Sequence, residues 1–306
     1  LPQPKVTVLM ALYQGERHLR AQLDSLAAQT ADWRLVVGDD GSSDAGPQIL
    51  QDFARDRPGR VELRPGPRRG AAANFMALLA GLPKAPGHVA LADQDDVWQA
   101  DKLSRALAAL EPCGDHPALY CSRVEICDEA LRPLGLSRLP VRPPSFRHAL
   151  VQNLVQGNTA VLNPAAAALA RAAAQGAGEV VMHDWWLYQV VSGAGGRVIH
   201  DPEPSLLYRQ HGANVVGAND GAGARLASLT RMLQGRHRDW SRANLREMQR
   251  LRDRLTPENR RLLDDFAALA GPGAVARLRA LRRGAFYRQG HLSQAALWLA
   301  AALGRV

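Results

Sequence analysis

The strongest constraint on the fold is an alternation that runs through the first 110 residues. Short apolar runs and amphipathic stretches take turns, with polar or glycine-containing breaks between them. The run at 5–11 (KVTVLMA) reads as a buried strand, and 16–29 (ERHLRAQLDSLAAQ) sets Leu19, Leu23 and Leu26 at helical spacing. A second strand is expected over 33–38, a helix over 45–57, and a short strand over 61–63. A basic loop (RPGPRRG, 64–70) precedes a helix over 71–82, a strand over 88–92 and a helix over 99–110. Strands separated by helices of this length predict an α/β domain with a parallel, doubly wound sheet. Ligands in such sheets bind beyond the carboxyl ends of the strands.

That rule singles out three segments. Ala11 and Tyr13 follow the first strand, Asp39 and Asp40 the second, and Asp93, Asp95 and Asp96 the fourth. Packing carboxylates at the end of a buried strand costs stability unless they hold something. An Asp-x-Asp spacing sends two carboxylates toward one point, and Mg²⁺ or Mn²⁺ accepts few protein carboxylates and completes its shell with phosphate oxygens and water. Asp96 could instead cap the helix near residue 99. Asp40 could bond a base or ribose, with Gly41 allowing a tight exit turn and Ser43 or Asp44 capping the next helix.

Later, 117–163 alternates in a β-like way, and LVQGNTAVLN (154–163) reads as a strand or hairpin edge. An Ala-rich helix is expected over 164–175. A further helix should be entered through His183-Asp184 and end in Gly193–Gly196, followed by two short strands, RVIH and SLLYRQHG. From Ala222 the pattern is helical and rich in arginine, so a domain boundary is expected within 216–224, giving domains 1–217 and 218–306.

The net charge of +9 is uneven. Residues 222–306 carry 17 arginines against 6 acidic residues; the other 221 carry 21 basic and 23 acidic groups. A basic C-terminal region suggests an anionic partner such as a membrane surface. No nucleic-acid-binding module is recognisable, so nucleic acid is not expected. The three cysteines, Cys113, Cys121 and Cys127, form no C-x-x-C pair. That argues against a disulfide framework or zinc site and for a reducing compartment. No apolar run approaches the roughly 20 residues that span a bilayer, and the N-terminus lacks a signal-peptide layout. The expected location is the cytoplasm, or the inner face of the cytoplasmic membrane.

Four ordered motifs, DDGSSD, LADQDDVW followed by Lys102-Leu103, MHDWWL and YRQHGANVVG, together with VTVLMALYQG, resemble family 2 glycosyltransferases. The closer resemblance is to the rhamnosyltransferase-like bacterial branch that builds surface polysaccharides. It covers roughly residues 4–217. It implies a GT-A nucleotide-sugar-binding, Rossmann-like fold with a mixed, mainly parallel sheet, plus a C-terminal helical segment. It also implies inverting, Mg²⁺- or Mn²⁺-dependent transfer of a hexose or deoxyhexose from a UDP- or dTDP-sugar to a glycan or lipid-linked glycan. Ala11, Tyr13 and Asp40 then meet the base, Asp93 the ribose, and Asp95 the metal and diphosphate. Arg69 and Asn74 border the donor, and His211 is a metal ligand. Asp184 is the catalytic base, although as a residue at a helix start it could also be an N-cap. Asn158, Trp185 and Trp186 flank the acceptor. Arg209 is a candidate for the diphosphate.

A sugar nucleotidyltransferase would need a glycine-rich, basic loop after the first strand, but ALYQGERH has one glycine. A catalytically silent carbohydrate- or lipid-binding protein would not need Asp184, Asp93 and Asp95 intact.

Overall fold

The computed structural model of the chain describes residues 6–210 and 236–306. These divide into two compact units. The first comprises 6–137, 155–176 and 197–210, and the second 138–154, 177–196 and 236–306. The boundary expected within 216–224 lies outside the described residues. Two segments that precede it, 138–154 and 177–196, group with the C-terminal helices.

In the first unit the elements alternate as the sequence predicts: β1 (Val6–Leu12), α1 (Leu19–Ala27), β2 (Trp33–Asp39), α2 (Gly46–Arg55), β3 (Val61–Pro65), α3 (Ala71–Ala80) and β4 (His88–Ala92). A two-residue strand, β5 (Val97–Trp98), and α4 (Lys102–Leu110) follow. β1, β2, β3 and β4 pair in parallel in the order β3-β2-β1-β4.

The rest of the sheet is mixed. β6 (Ala118–Cys127) pairs antiparallel with β7 (Pro133–Leu136) and with β8 (Val161–Leu162), and β8 also pairs antiparallel with β4. So β8 joins the two halves of the sheet and is not an edge. The two strands expected after Gly196 are one, β9 (Arg197–Arg209), parallel to β6 and antiparallel to β5. Pro202 hides this from a reading of the sequence. It falls where the β6 register skips from Asp201 to Pro204, so the residues that break the pattern are looped out as a bulge. Arg105 holds that bulge, donating to the Asp201 carboxylate at 2.7 Å and to the Pro204 carbonyl at 3.0 Å.

Side chains alternate across the strands, so the sheet has two covered faces. Val6, Val8, Met10 and Leu12 of β1 pack with Leu19, Leu23 and Leu26 of α1, with Leu50 and Phe53 of α2, and with Leu103 and Ala106 of α4. Each such leucine contributes about 1.5–3 kcal/mol by leaving water. Leu9 lies on the other face, where α3 and α6 (Pro164–Ala174) pack against the sheet and each other. Asn163 starts α6 by accepting the Ala166 N–H at 2.9 Å, with Pro164 at the first helical position.

The second unit is helical: α5 (Phe146–Ala149), α7 (His183–Gly193) and helices Arg236–Arg250, Pro257–Ala267, Ala274–Arg283 and His291–Leu303. α7 ends in the glycine run, as expected. Asn259 donates to the Gly193 carbonyl at 2.9 Å and Thr256 N donates to it at 3.1 Å, which satisfies a helix end that would otherwise be orphaned. Cys113, Cys121 and Cys127 are free thiols, the latter two buried.

Candidate active site

The parallel register brings three strand ends together. Leu12 of β1 pairs with Asp39 of β2, and Met10 pairs with Ala92 of β4. The loops after these strands therefore leave the sheet side by side. Ala11, Tyr13, Asp40 and Asp93 through Asp96 share one edge, as predicted.

Side-chain to main-chain bonds lock these loops. Asp40 is 8% exposed, and its two carboxylate oxygens accept the N–H groups of Arg68 and Gly70, each at 2.7 Å. The basic loop, with Arg69 exposed on it, is thus hung from the end of β2. Gly41, at φ +95°, makes the exit turn, and the Asp39 carboxylate accepts the Ser42 N–H at 3.0 Å. Gln14 accepts the N–H groups of Ser43 and Asp44, joining the first loop to the second. Ala45, not Ser43 or Asp44, precedes α2 as its cap residue, although the Asp44 carboxylate accepts the Gly46 N–H at 3.0 Å.

Gln94 makes the third link. Its Oε1 accepts the Tyr13 N–H at 2.8 Å, and its Nε2 donates to the Tyr13 carbonyl at 2.9 Å. Tyr13 itself is 56% exposed, so its ring stands free at the rim for a planar ligand to stack on.

The acidic cluster is compact. Carboxylate oxygens of Asp93, Asp95 and Asp96 lie within 4.8 Å of one another. Asp93 and Asp95 are half-buried. Asp96 is fully buried, and it caps no helix: α4 starts after Asp101. Burial, then the charges of Asp93 and Asp95, push the Asp96 carboxyl well above its usual value. The Asn158 amide opposes this by donating to Asp96 Oδ2 at 2.6 Å, while Asp96 Oδ1 has no hydrogen-bond partner. Three carboxyl groups gathered this closely, one with a buried and unsatisfied oxygen, form a donor set suited to a hard divalent cation. Lys102 lies behind, fully buried, with its ammonium 4.5 Å from the centre of the Trp98 ring. Burial pulls the Lys102 pKa down to about 7, and the Asp96 charge works against that. Arg209 Nε donates to the Asp95 main-chain carbonyl at 3.0 Å, and its Nη1 donates to the Glu129 carbonyl. Arg209 is 5% exposed, so it braces the acidic loop and does not reach for a diphosphate.

Several expected residues fall elsewhere. Asn158 is 3% exposed, and its amide supports the acidic cluster through Asp96. Asn74 is 1% exposed, beneath β2, and donates to the Gly38 carbonyl at 2.7 Å. A Cβ at Gly38 would come within 2.1 Å of Asn74 Oδ1, so this approach requires glycine. Trp185 and Trp186 are 3% and 1% exposed in the core of the second unit, and Trp185 Nε1 donates to the Ala149 carbonyl at 2.6 Å. In this arrangement their indole faces are packed against protein. Asp184, in the first turn of α7, is half-buried and is not the cap, which is Met182. Its Oδ1 accepts the Trp185 N–H at 2.6 Å. Burial pulls the neighbouring His183 imidazole below its ordinary value, and the Asp184 charge opposes that. His211 lies outside the described residues.

The model of the Glycosyl transferase family 2 matches residues 7–176, more than half of the chain. The chain belongs to this family. The fold is the GT-A fold, with its Rossmann-like mixed sheet and C-terminal helices. Among curated glycosyltransferases, dTDP-rhamnosyl transferase RfbG of Shigella flexneri is 28% identical over 229 residues, 69% of this chain and 74% of that protein. Uncharacterised relatives from Mycobacterium tuberculosis are also 28% identical, and the chain spans 59% of their length. Solved glycosyltransferases share the fold. The mannosyltransferase PcManGT of Pyrobaculum calidifontis, in complex with GDP-Man and Mn²⁺, is 17% identical with a TM-score of 0.50, covering 99% of this chain and 86% of that one. TarS 1–349 of S. aureus, in complex with UDP-GlcNAc, is 14% identical with a TM-score of 0.54, covering 98% and 92%.

Proposed function

We propose that this chain is an inverting, metal-dependent glycosyltransferase of the rhamnosyltransferase-like branch. It would move a hexose or deoxyhexose from a UDP- or dTDP-sugar to a hydroxyl of a glycan or lipid-linked glycan in polysaccharide biosynthesis. The observation that carries this is the convergence of Asp93, Asp95 and Asp96 at the sheet edge where the Tyr13 and Asp40 loops also emerge. The relative named as a dTDP-rhamnosyl transferase supports dTDP and a deoxyhexose.

In this reading Ala11, Tyr13 and Asp40 hold the base, with Arg69 beside it, and Asp93 meets the ribose. Asp95, with Asp96 behind it and His211 as a further candidate, holds Mg²⁺ or Mn²⁺. Bound there, the cation would supply the positive charge that neutralises a diphosphate leaving group. Asp184 takes the proton of the acceptor hydroxyl while that oxygen attacks the anomeric carbon. The bond from that carbon to the diphosphate oxygen breaks on the opposite side, so configuration inverts in one step. No covalent sugar–enzyme intermediate forms, and no second catalytic carboxylate is needed.

The test is a thermal-shift screen of nucleotide-sugars with Mn²⁺ or Mg²⁺, followed by measurement of nucleotide release with and without acceptor. One base and one sugar should stabilise the protein selectively. A protein indifferent to every UDP- and dTDP-sugar in the presence of either cation would defeat the proposal.

A further inference from the structure

The helix His291–Leu303 is apolar almost all round, and the second unit covers only one side of it. Ala296, Leu297, Ala300 and Ala301 are buried. Leu292, Trp298, Leu299 and Leu303 are 69%, 39%, 50% and 53% exposed. Leu292, Ala295, Leu299 and Leu303 follow helical spacing, so they form one outward stripe with Trp298 beside it. Large apolar side chains gathered on one exposed face are uncommon in a soluble surface and mark a contact.

The charge around this stripe indicates its partner. Residues 266–306 contain six arginines and no acidic residue. The helix Ala274–Arg283 packs against the last helix and exposes Arg279 and Arg282. Arg277 is used differently: it donates to the Ala301 and Ala302 carbonyls and closes the end of the last helix. Arg283 is paired with Asp265, so the positive charge this segment offers beside its exposed leucines and tryptophan comes from Arg279 and Arg282. Thirteen residues of helix reach only about 20 Å, too short to cross a bilayer core, and no described helix is long and apolar enough to do so.

We propose that the exposed face of helix His291–Leu303 lies flat on an anionic lipid surface, such as the inner face of the cytoplasmic membrane. Leu292, Trp298, Leu299 and Leu303 enter the headgroup boundary, and Arg279 and Arg282 meet lipid phosphates. The inference goes beyond the proposed reaction, and its test reads binding without turnover, so either can fail alone.

Full-length protein is floated with phosphatidylcholine vesicles, with or without about one-third phosphatidylglycerol, an anionic fraction that sets up the surface field. Wild type should float with the anionic vesicles and stay down with the neutral ones. Leu292→Gln/Leu299→Gln/Leu303→Gln should lose flotation, and Arg279→Gln/Arg282→Gln should weaken it on the order of tenfold. These side chains are exposed, so both variants should keep the wild-type melting temperature, which is measured alongside. Failure of wild type to float with anionic vesicles overturns the proposal, as does undiminished flotation of a folded leucine variant. Light scattering that shows a dimer which the leucine variant dissociates gives the face to a second copy of the chain instead.

Discussion

Gln94 holds Tyr13 by both of its main-chain polar groups, accepting the N–H at 2.8 Å and donating to the carbonyl at 2.9 Å. The middle residue of the Asp-x-Asp spacing is therefore a strut. It ties the loop proposed to hold the base to the loop proposed to hold the cation. Residues 81 positions apart are fixed relative to each other by one amide.

Gln94→Ala removes both bonds and leaves the acidic side chains in place. Net losses of about 1 kcal/mol per hydrogen bond predict a modest fall in stability. The larger effect is expected in KM for the donor, rising several-fold, with kcat less affected. Steady-state kinetics at varied donor concentration measures the split. A change confined to kcat would show that Gln94 does not act through the base loop.

Asp95→Asn removes one charge from the cluster. The Mn²⁺-dependent thermal shift should vanish, and turnover should fall by about 100-fold or more, the scale seen when one electrostatic stabiliser is lost. Because Asp95 is half-buried, the protein without metal should melt within a few degrees of wild type.

For Asp184→Asn, donor affinity should survive while turnover drops by about 10²- to 10⁴-fold, the contribution of a positioned base. Asparagine can still accept the Trp185 N–H, so the start of α7 keeps its bond. Isothermal titration with the donor separates the two effects. Loss of donor binding here would contradict the role of base.

Asp40 offers two acceptors to two main-chain donors, the N–H groups of Arg68 and Gly70. Asparagine offers one acceptor, and its amide N–H groups face the second donor. Asp40→Asn should cost about 1–3 kcal/mol, the penalty for a buried polar group left unsatisfied, visible in urea unfolding. It should also make the 66–70 loop more sensitive to protease.

The second unit carries a pH signature. Burial pulls the His148 imidazole from its ordinary 6.5 down to about 4, with its Nδ1 2.9 Å from the Tyr188 hydroxyl. The folded protein refuses a proton that the unfolded chain accepts. Stability should therefore be full above pH 6.5 and fall as pH drops toward 4, by about 3 kcal/mol in total from this group. His148→Gln cannot titrate, so its unfolding free energy should lose that part of the slope between pH 7.5 and 4.5.

The strands and helices up to Leu110, apart from the two-residue β5 that pairs with the distant β9, were legible because each is local: an apolar run or a Leu19, Leu23, Leu26 stripe announces its own burial. The acidic cluster was legible because three carboxylates at a strand end demand a reason. The bond that Asn158 makes was not legible because it depends on Asp96, 62 positions away, being turned inward. The burial of Trp185 and Trp186 was not legible for a related cause. An aromatic pair looks alike whether it faces a sugar or a core, and only the packing of the second unit tells them apart.

The amino-acid pattern alone determined the alternating strands and helices, the edge of the sheet where chemistry gathers, and which acidic residues gather there. Those depend on periodicity and on like charges that chain neighbours cannot escape. Tertiary structure alone decided which polar side chains serve as supports: Gln94 on Tyr13, Asn158 on Asp96, Asn74 on Gly38 and Arg209 on Asp95. A hydrogen bond is satisfied in space, between atoms a few ångströms apart, and the chain brings those atoms together only once the strands have found their register.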